Sequence, residues 1–256
     1  MKYLYSIIIL SCSFILSLSA QEIPMTEAGT LEQVYEEAVE SEELLPFNDL
    51  NIEFGYVLYK TEIEVESEES VLELENVRDY AAIYLNGKLQ GTVTDNSKRV
   101  VLNTSPGKYT LSLYAENIGR ITYGPEILDN SKGLFGNITL DGEVIGNWTM
   151  IPLCVKQCDV TKLQFHGNFS GQLPAFHKGC FEIENPADTY IDISGWGIGE
   201  VWINGNYVGS YWEKEKQQSI QVPAESLLKG KNEIVVFELK NNAQTTVELS
   251  DKPVFK

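Results

Sequence analysis

One hairpin motif occurs twice in this sequence. Residues 84–91 read Tyr-Leu-Asn-Gly-Lys-Leu-Gln-Gly, and residues 202–209 read Trp-Ile-Asn-Gly-Asn-Tyr-Val-Gly. Asn-Gly between β-forming residues is the strongest short signal for a tight hairpin, because a type I′ turn needs positive φ at both central positions. Asn204 lies 118 residues after Asn86, a spacing that is too long for a solenoid repeat and typical of a duplicated domain. The chain is therefore predicted to hold two copies of one all-β module.

The repeat extends beyond the hairpin in both directions. Residues 56–63 match residues 176–183, and each copy ends with a turn followed by a long strand, at 106–117 and at 228–241. Short strands with turn signals at regular spacing are typical of a β-sandwich. We predict an all-β fold of two tandem jelly-roll sandwiches, the first at residues 47–153 and the second at residues 154–256.

The first 46 residues are predicted to lie outside both modules. Residues 1–20 have a basic start, a short apolar run and a small residue at the end, the pattern of a secretory signal peptide cleaved after Ala20. A lipoprotein signal cleaved before Cys12 is the alternative. Residues 21–46 are predicted to be a linker with one short helix, because residues 30–33 form a capping box ahead of an apolar stripe at helical spacing.

The net charge of the chain and its glycosylation sequons limit the binding partners and the cellular compartment that we expect. The chain has 37 acidic and 19 basic residues, a formal net charge of −18, which argues against nucleic acid and anionic membrane surfaces as partners. Four glycosylation sequons accompany the signal pattern and together predict a glycosylated protein that is secreted or lysosomal. They begin at Asn103, Asn137, Asn147 and Asn168.

Three cysteines follow the predicted signal peptide: Cys154, Cys158 and Cys180. Cys154 and Cys158 could close a small disulfide loop, which would leave Cys180 as an unpaired thiol. The two histidines, His166 and His177, do not have the spacing of zinc ligands. No metal and no other cofactor is therefore predicted.

Four stretches carry a family resemblance. They are residues 54–60 (Phe-Gly-Tyr-Val-Leu-Tyr-Lys), 116–124 (Glu-Asn-Ile-Gly-Arg-Ile-Thr-Tyr-Gly), 194–212 around the second hairpin, and 233–239 (Glu-Ile-Val-Val-Phe-Glu-Leu). Together they resemble the C-terminal half of family 35 glycoside hydrolases, the lysosomal-type acid β-galactosidases and their relatives, collinearly over roughly residues 24–241. The resemblance implies that both sandwiches are galactose-binding-like jelly rolls.

The resemblance also implies a missing catalytic domain. In that family hydrolysis takes place in an N-terminal (β/α)₈ barrel of roughly 250 residues, which carries both catalytic glutamates. Retaining hydrolysis needs two carboxyl groups about 5 Å apart. Glu75, Glu116 and Glu184 lie near candidate loops, but none has an evident second carboxylate. A structural role is expected for all three, and no catalytic residue is predicted.

Six residues are predicted to contact carbohydrate or another domain. The resemblance places the loop of residues 119–124 at the rim of the family's substrate pocket, which singles out Arg120 and Tyr123; alternatively, Arg120 pairs with a carboxylate to hold a turn. Trp196, Tyr207, Tyr211 and Trp212 could stack on the apolar face of galactose. Alternation along strands points about half of the aromatic residues in this stretch into the sandwich, so core packing is the favoured alternative.

Two functional hypotheses follow. In the first, the chain is a secreted, non-catalytic β-galactosidase-like protein that binds galactosides or other glycans weakly, or docks on another protein. In the second, it is part of an active β-galactosidase, as a truncated product or as a chain that associates with a separate barrel-containing chain. Alone, it is not expected to hydrolyse β-galactosides.

Overall fold

The computed structural model describes residues 21–119, 131–167, 174–240 and 243–256. This part of the chain is almost entirely β-structure, with short 3₁₀ helices at Leu31–Val34, Val160–Lys162 and Ala224–Ser226, so the all-β prediction is confirmed. The strands are β1 (Gln21–Thr30), β2 (Val39–Ser41), β3 (Gly55–Val65), β4 (Glu69–Arg78), β5 (Tyr80–Leu85), β6 (Lys88–Thr94), β7 (Arg99–Asn103), β8 (Gly107–Asn117), β9 (Gly133–Leu140), β10 (Glu143–Ile145), β11 (Trp148–Leu153), β12 (His166–Gly167), β13 (Ala175–Ile183), β14 (Thr189–Asp192), β15 (Ile198–Ile203), β16 (Asn206–Trp212), β17 (Ser219–Val222), β18 (Gly230–Glu238) and β19 (Thr246–Ser250).

The first sandwich consists of a six-stranded sheet, in the order β2-β11-β3-β8-β5-β6, and a four-stranded sheet, in the order β10-β9-β4-β7. Side chains of alternate residues fill the space between the two sheets, as the two-residue period of a strand requires. On β3, for example, Val57 and Tyr59 point into this core, whereas Tyr56 and Leu58 belong to a different apolar cluster on the opposite face.

The second sandwich is joined by one strand that belongs to both of its sheets. β1 pairs through residues 25–30 with β13, in the order β16-β15-β18-β13-β1, and through residues 21–24 with β19, which continues to β14 and β17. β12 also pairs with β1, at Glu27 and Ala28. Ile23 is fully buried between the sheets, beside Val247 and Leu249 of β19.

The linker prediction is wrong for residues 21–30. These residues form β1, because alternate apolar side chains of this segment fill the second core and its backbone completes the hydrogen bonding of β13 and β19. The capping box at residues 30–33 leads only into the four-residue 3₁₀ helix Leu31–Val34, and its N-cap Thr30 makes no side-chain cap hydrogen bond. Sequence reasoning missed the strand because its partners are more than 140 residues away.

Both predicted hairpins form as expected. Asn86 and Gly87 have φ values of 44° and 80°, and Asn204 and Gly205 have φ values of 50° and 79°, so the central residues of both turns are in the left-handed region. The turns connect β5 to β6 and β15 to β16. Each hairpin then has a register shift, between Ile83 and Tyr84 in the first and between Val201 and Trp202 in the second.

The two sandwiches are fused face to face by a third apolar core, which we call the seam. The outer face of the six-stranded sheet packs on the β15, β18 and β13 face of the second sandwich. Aromatic rings dominate the contact: the ring centroids of Tyr56 and Phe237 lie 5.2 Å apart, and the Tyr84 hydroxyl donates to the carbonyls of Leu239 and Lys240 at 2.9 and 2.7 Å. The four sheets, two in each sandwich, therefore stack face to face with three apolar cores between them.

No helix in the described ranges has the length and apolar character that a transmembrane span requires.

A single substitution tests the role of β1. Ile23→Ala removes a fully buried side chain from the second core, so we expect it to lower the free energy of unfolding by about 2–5 kcal/mol in urea denaturation. Glu22→Ala, at the exposed neighbouring position, is the control and should change it by less than about 0.5 kcal/mol. Equal, small effects of both would mean that this segment behaves as a linker.

Candidate functional site

A cluster of polar side chains is buried at one end of the seam. Glu200, on β15 of the second sandwich, has no exposed surface. Its carboxylate accepts hydrogen bonds from the hydroxyls of Tyr56, on β3 of the first sandwich, at 2.7 Å and of Tyr207, on β16, at 2.8 Å. The Lys156 ammonium lies 3.0 Å from Glu200 Oε1. Glu200 therefore binds donors from both sandwiches and from the segment that connects them.

A second carboxyl group, Glu116 on β8, contacts the same tyrosine. It lies directly opposite Tyr56 in the pairing of β3 with β8, and it is almost fully buried, with no partner for Oε2 among the described residues. Burial, with the neighbouring Glu200 carboxylate, raises the pKa of Glu116 to about 8. Burial also raises the pKa of Glu200, against the opposing effects of Lys156 and the tyrosine hydroxyls.

Burial alone does not distinguish Glu116 from the other buried carboxyl groups of the seam. Glu238, on β18, is as deeply buried, but its carboxylate accepts hydrogen bonds from the backbone N–H groups of Gly197, Ile198 and Lys240 at 2.7–3.2 Å. A carboxylate with several N–H donors retains its negative charge more easily than one without them. Glu116 thus differs from Glu238, because no backbone N–H of the described residues donates to its carboxyl group.

A cleft of about 660 Å³ opens beside this cluster. Two turns form its walls: one at residues 48–54, and one at residues 117–119 that follows β8. The Asn117 amide donates to the Glu53 carbonyl at 2.7 Å, and the Ile118 N–H donates to Asp79 at 3.1 Å, so the turns are fixed to one another and to the sheet. The lining residues are Asn48, Asn51, Ile52, Glu53, Phe54, Asn117, Ile118, Gly119, Lys132 and Lys156.

Two lysines line the cleft, and each of them is paired with a carboxylate. Lys132 lies 2.8 Å from both oxygens of Asp79, and Lys156 is the same residue that pairs with Glu200. Phe54 and Ile118 are about half exposed at the cleft although they are large apolar residues. The cleft thus combines an exposed aromatic ring, amide and carboxyl groups, and two ammonium groups held by carboxylates.

The expectation that Glu116 has no second carboxylate nearby is wrong, because the fold brings Glu200 to the other side of Tyr56. Neither carboxylate lines the cleft, and both are buried, so the pair has no access to a substrate in this structure. Glu75 has a structural contact, since its carboxylate accepts the backbone N–H of Asn137 at 2.9 Å. Glu184 is exposed.

The predicted contact residues are in different environments. Trp196 is buried in the second core, with its indole N–H donating to the Thr246 carbonyl at 2.8 Å, and Tyr211 is buried with its hydroxyl donating to the Phe237 carbonyl at 2.9 Å. These two agree with the core-packing alternative and cannot form a sugar platform. Tyr207 is 48 % exposed, and Trp212 packs edge-on against Tyr80 of the first sandwich. Arg120 and Tyr123 lie outside the described residues.

The predicted disulfide does not form in this structure. Cys154, Cys158 and Cys180 are free thiols, and burial raises the pKa of Cys158 to about 12, which disfavours the reactive thiolate. Among the described residues, no group of three or more His, Cys, Asp or Glu side chains is arranged to hold a metal ion. Asn103, Asn137 and Asn147 are exposed, so their glycosylation stays a prediction; Asn168 lies outside the described residues.

Sequence reasoning missed Tyr56, Lys156 and Glu200 as members of one cluster. Tyr56 and Glu200 lie in strands whose residues are buried on both faces, and they come together only through the packing of the two sandwiches. Glu200 stands between Gly199 and the apolar residues Val201-Trp202-Ile203. A charged residue in a buried strand requires a partner, so this position was the signal available in the sequence.

Comparisons with known proteins agree with this architecture. The family model described as "Beta-galactosidase, first all-beta domain" matches residues 45–154, and the one described as "Beta-galactosidase, galactose-binding domain" matches residues 174–232. The β-galactosidase of Bos taurus is 34 % identical over 243 residues, which cover 83 % of this chain and 37 % of that protein. Human β-galactosidase-1-like protein 2 is 32 % identical, over 77 % of this chain and 31 % of its own length.

The chain thus spans about a third of the length of these curated relatives. Among solved structures, a β-galacturonidase from Eisenbergiella tayi has a TM-score of 0.29 at 16 % identity, covering 86 % of this chain and 36 % of that one. A Pleurotus ostreatus lectin has a TM-score of 0.27 at 10 % identity, covering 91 % of this chain and 85 % of that one. Such low scores carry no functional argument.

Two tyrosines that donate to the same carboxylate give a matched pair of variants. Tyr56→Phe removes a buried donor to Glu200, so we expect a loss of about 1–3 kcal/mol in the free energy of unfolding, measured in urea at pH 6. Tyr207→Phe removes the half-exposed donor, which water can replace, and should cost less than about 1 kcal/mol. Equal costs would show that the seam is open to water at Glu200.

Proposed function

This chain contains the first all-β domain and the galactose-binding domain of the β-galactosidase family, and from that premise we propose that it is a secreted, non-catalytic member that binds a galactoside or a related glycan in the cleft. The observation that carries the proposal is the composition of the cleft wall. It presents an aromatic ring, three amide side chains and a carboxylate around a volume suited to a mono- or disaccharide.

The chemistry of these groups fits a sugar. A pyranose has an apolar face of C–H groups that stacks on an aromatic ring, and Phe54 offers a ring that is 49 % exposed. The hydroxyls of the sugar both donate and accept hydrogen bonds, which suits the amides of Asn48 and Asn51 and the carboxylate of Glu53. A shallow, open site of this kind predicts weak binding, because few ligand atoms are removed from water.

Export is supported by the signal pattern of residues 1–20 and by the exposure of Asn103, Asn137 and Asn147 in their sequons. The non-catalytic assignment is supported by the burial of Glu116 and Glu200, the carboxyl pair of the seam. Secreted or lysosomal residence is part of the same proposal.

A second candidate function is suggested by the apolar rim of the cleft. Phe54 and Ile118 are large apolar residues that both line the cleft and are half exposed, and a contact with another domain or chain would use such residues. In that case the chain is a partner-dependent part of a β-galactosidase and becomes active only beside a barrel-containing chain.

Hydrolysis separates the two functions. The purified chain is assayed with a chromogenic β-galactoside, alone and after mixing with the barrel-containing part of a related β-galactosidase. We expect no turnover by the chain alone and no increase on mixing. Turnover that depends on mixing would favour the partner-dependent function, and turnover by the chain alone would overturn the non-catalytic assignment.

Sugar binding is tested by heteronuclear NMR titration with galactose and lactose up to tens of millimolar. We expect shifts of amide signals in residues 48–54 and 117–119, and we expect Phe54→Ala to weaken binding at least fivefold, because it removes the stacking surface. Phe255→Ala is the control, since Phe255 is an exposed aromatic residue that lies outside the cleft. Equal weakening by both substitutions would show that Phe54 is not a specific contact, and no shifts with either sugar would remove the proposal.

A further inference from the structure

Three buried polar atoms of the seam have no hydrogen-bond partner among the described residues. They are the hydroxyl of Tyr80, Oε2 of Glu116 and the indole nitrogen Nε1 of Trp212. Tyr80 is only 1 % exposed and Glu116 only 4 %, so bulk water does not reach either side chain. A buried donor or acceptor without a partner is costly, and three of them in one seam therefore need an explanation.

Other tyrosines of the same seam do have partners. The Tyr56 hydroxyl donates to Glu200 Oε1 at 2.7 Å, and the Tyr84 hydroxyl donates to the Leu239 carbonyl at 2.9 Å. Both belong to the same apolar cluster as Tyr80. The second sandwich thus supplies acceptors to its neighbours in the seam, but no described residue supplies one to Tyr80.

The three atoms belong to residues that meet across the seam. Tyr80 on β5 and Glu116 on β8 are opposite each other in the pairing of these strands. Their side chains therefore leave the same face of the sheet, with Cβ atoms about 4.5–5.5 Å apart. Trp212, at the end of β16 in the second sandwich, packs edge-on against Tyr80, with ring centroids 6.3 Å apart. This arrangement places the three atoms around one point between the sandwiches.

We propose that this point is a binding site for one internal water molecule, which joins Tyr80 and Glu116 of the first sandwich to Trp212 of the second. A water oxygen accepts two hydrogen bonds, which suits the indole N–H and the tyrosine hydroxyl as donors, and one of its own O–H groups donates to Glu116 Oε2. Buried waters typically make about three hydrogen bonds to groups that have no other partner. The site offers three such groups, two donors and one acceptor.

The chemistry of the three groups selects a small neutral molecule. An anion would be repelled by the carboxyl group of Glu116 and by Glu200, which lies on the other side of Tyr56. A metal ion would face the N–H of an indole, which only donates, and the described part of the chain has no group of three or more acidic, His or Cys side chains arranged to hold one. None of the three residues lines the cleft, so a larger molecule has no access from there. Water both donates and accepts and is small enough.

The water completes a row of contacts that crosses the seam. Tyr56, Glu116 and Tyr80 are neighbours in this row, on β3, β8 and β5. Tyr56 reaches the second sandwich directly, through Glu200, whereas Tyr80 reaches it through the water. β8 continues from Glu116 into the turn at residues 117–119, so the water also fixes the strand from which one wall of the cleft emerges. The inference does not depend on what the cleft binds.

The sign of a stability change tests the site. Tyr80→Phe removes the hydroxyl but keeps the ring that packs on Trp212. A hydroxyl that is bonded to water contributes to stability, so its loss should raise the unfolding equilibrium constant, measured in urea, about two- to tenfold. A hydroxyl without any partner costs stability, so the constant would then stay the same or fall, which would contradict the proposal. Tyr84→Phe, which removes a hydroxyl with direct carbonyl partners in the same seam, is the matched comparison.

NMR detects the water in the wild-type chain and needs no variant that folds. In a water-selective NOE experiment, the indole N–H of Trp212 should give a cross-peak with the sign of a water molecule that stays bound for longer than the protein takes to tumble. The indole N–H of Trp196 is the internal control, because it donates to the Thr246 carbonyl at 2.8 Å and should give no such peak. A missing peak at Trp212, or equal peaks at both indoles, would overturn the proposal.

A crystal structure of the full chain distinguishes water from other occupants. We expect one oxygen atom within about 2.7–3.2 Å of the Tyr80 hydroxyl, Glu116 Oε2 and Trp212 Nε1. An occupant about 2.4 Å or less from Glu116 Oε2 would be a metal ion instead. Direct hydrogen bonds among the three side chains would leave no site for water. Either of these two results would overturn the proposal.

Discussion

The structure depends on the six-stranded sheet of the first sandwich, whose central strands are buried on both faces of the sheet. Strand β5 is buried throughout, and β3 and β8 are buried on both faces near the seam but alternate between core and solvent at their other ends. A sheet in this position must place apolar side chains on both sides, and every polar group that it carries into the seam must find a partner there, because water is excluded. The tyrosines of the seam meet both requirements, since their rings pack while their hydroxyls reach carbonyls and carboxylates of the second sandwich.

The sequence predicts local features of this fold well. Asn86-Gly87 and Asn204-Gly205 specify their hairpins through backbone conformation alone, and the strands next to them follow from β-forming residues. Features that need distant partners are not predicted. The segment that contains Ile23 looks like a linker by its own residues, because only β13 and β19 turn it into a strand. Cys154 and Cys158 likewise suggest a disulfide by spacing, but remain free thiols.

The candidate site illustrates the same limit. The aromatic residues around the second hairpin suggest a sugar platform by composition, yet Trp196 is buried in the turn before β15, and Tyr211 is buried where alternation along β16 points it. The cleft is built instead from the turns at residues 48–54 and 117–119, which overlap two stretches of the family resemblance, and Phe54 stands out only through its exposure. Glu116 appeared isolated in the sequence, because Glu200 lies in the other copy of the repeat and only the face-to-face packing of the copies brings them together.

The position of β1 has a consequence for biosynthesis. This strand leaves the ribosome before the whole first sandwich, whereas β13 and β19, which it joins, are synthesised after that sandwich. Because domains fold largely in the order of synthesis, the first sandwich can assemble while β1 waits with an unsatisfied edge and an apolar side. The protein therefore does not fold strictly in the order of its synthesis, because β1 can pair only after β13 and β19 have been made. Until then the unpaired edge of β1 favours association with other unfinished chains.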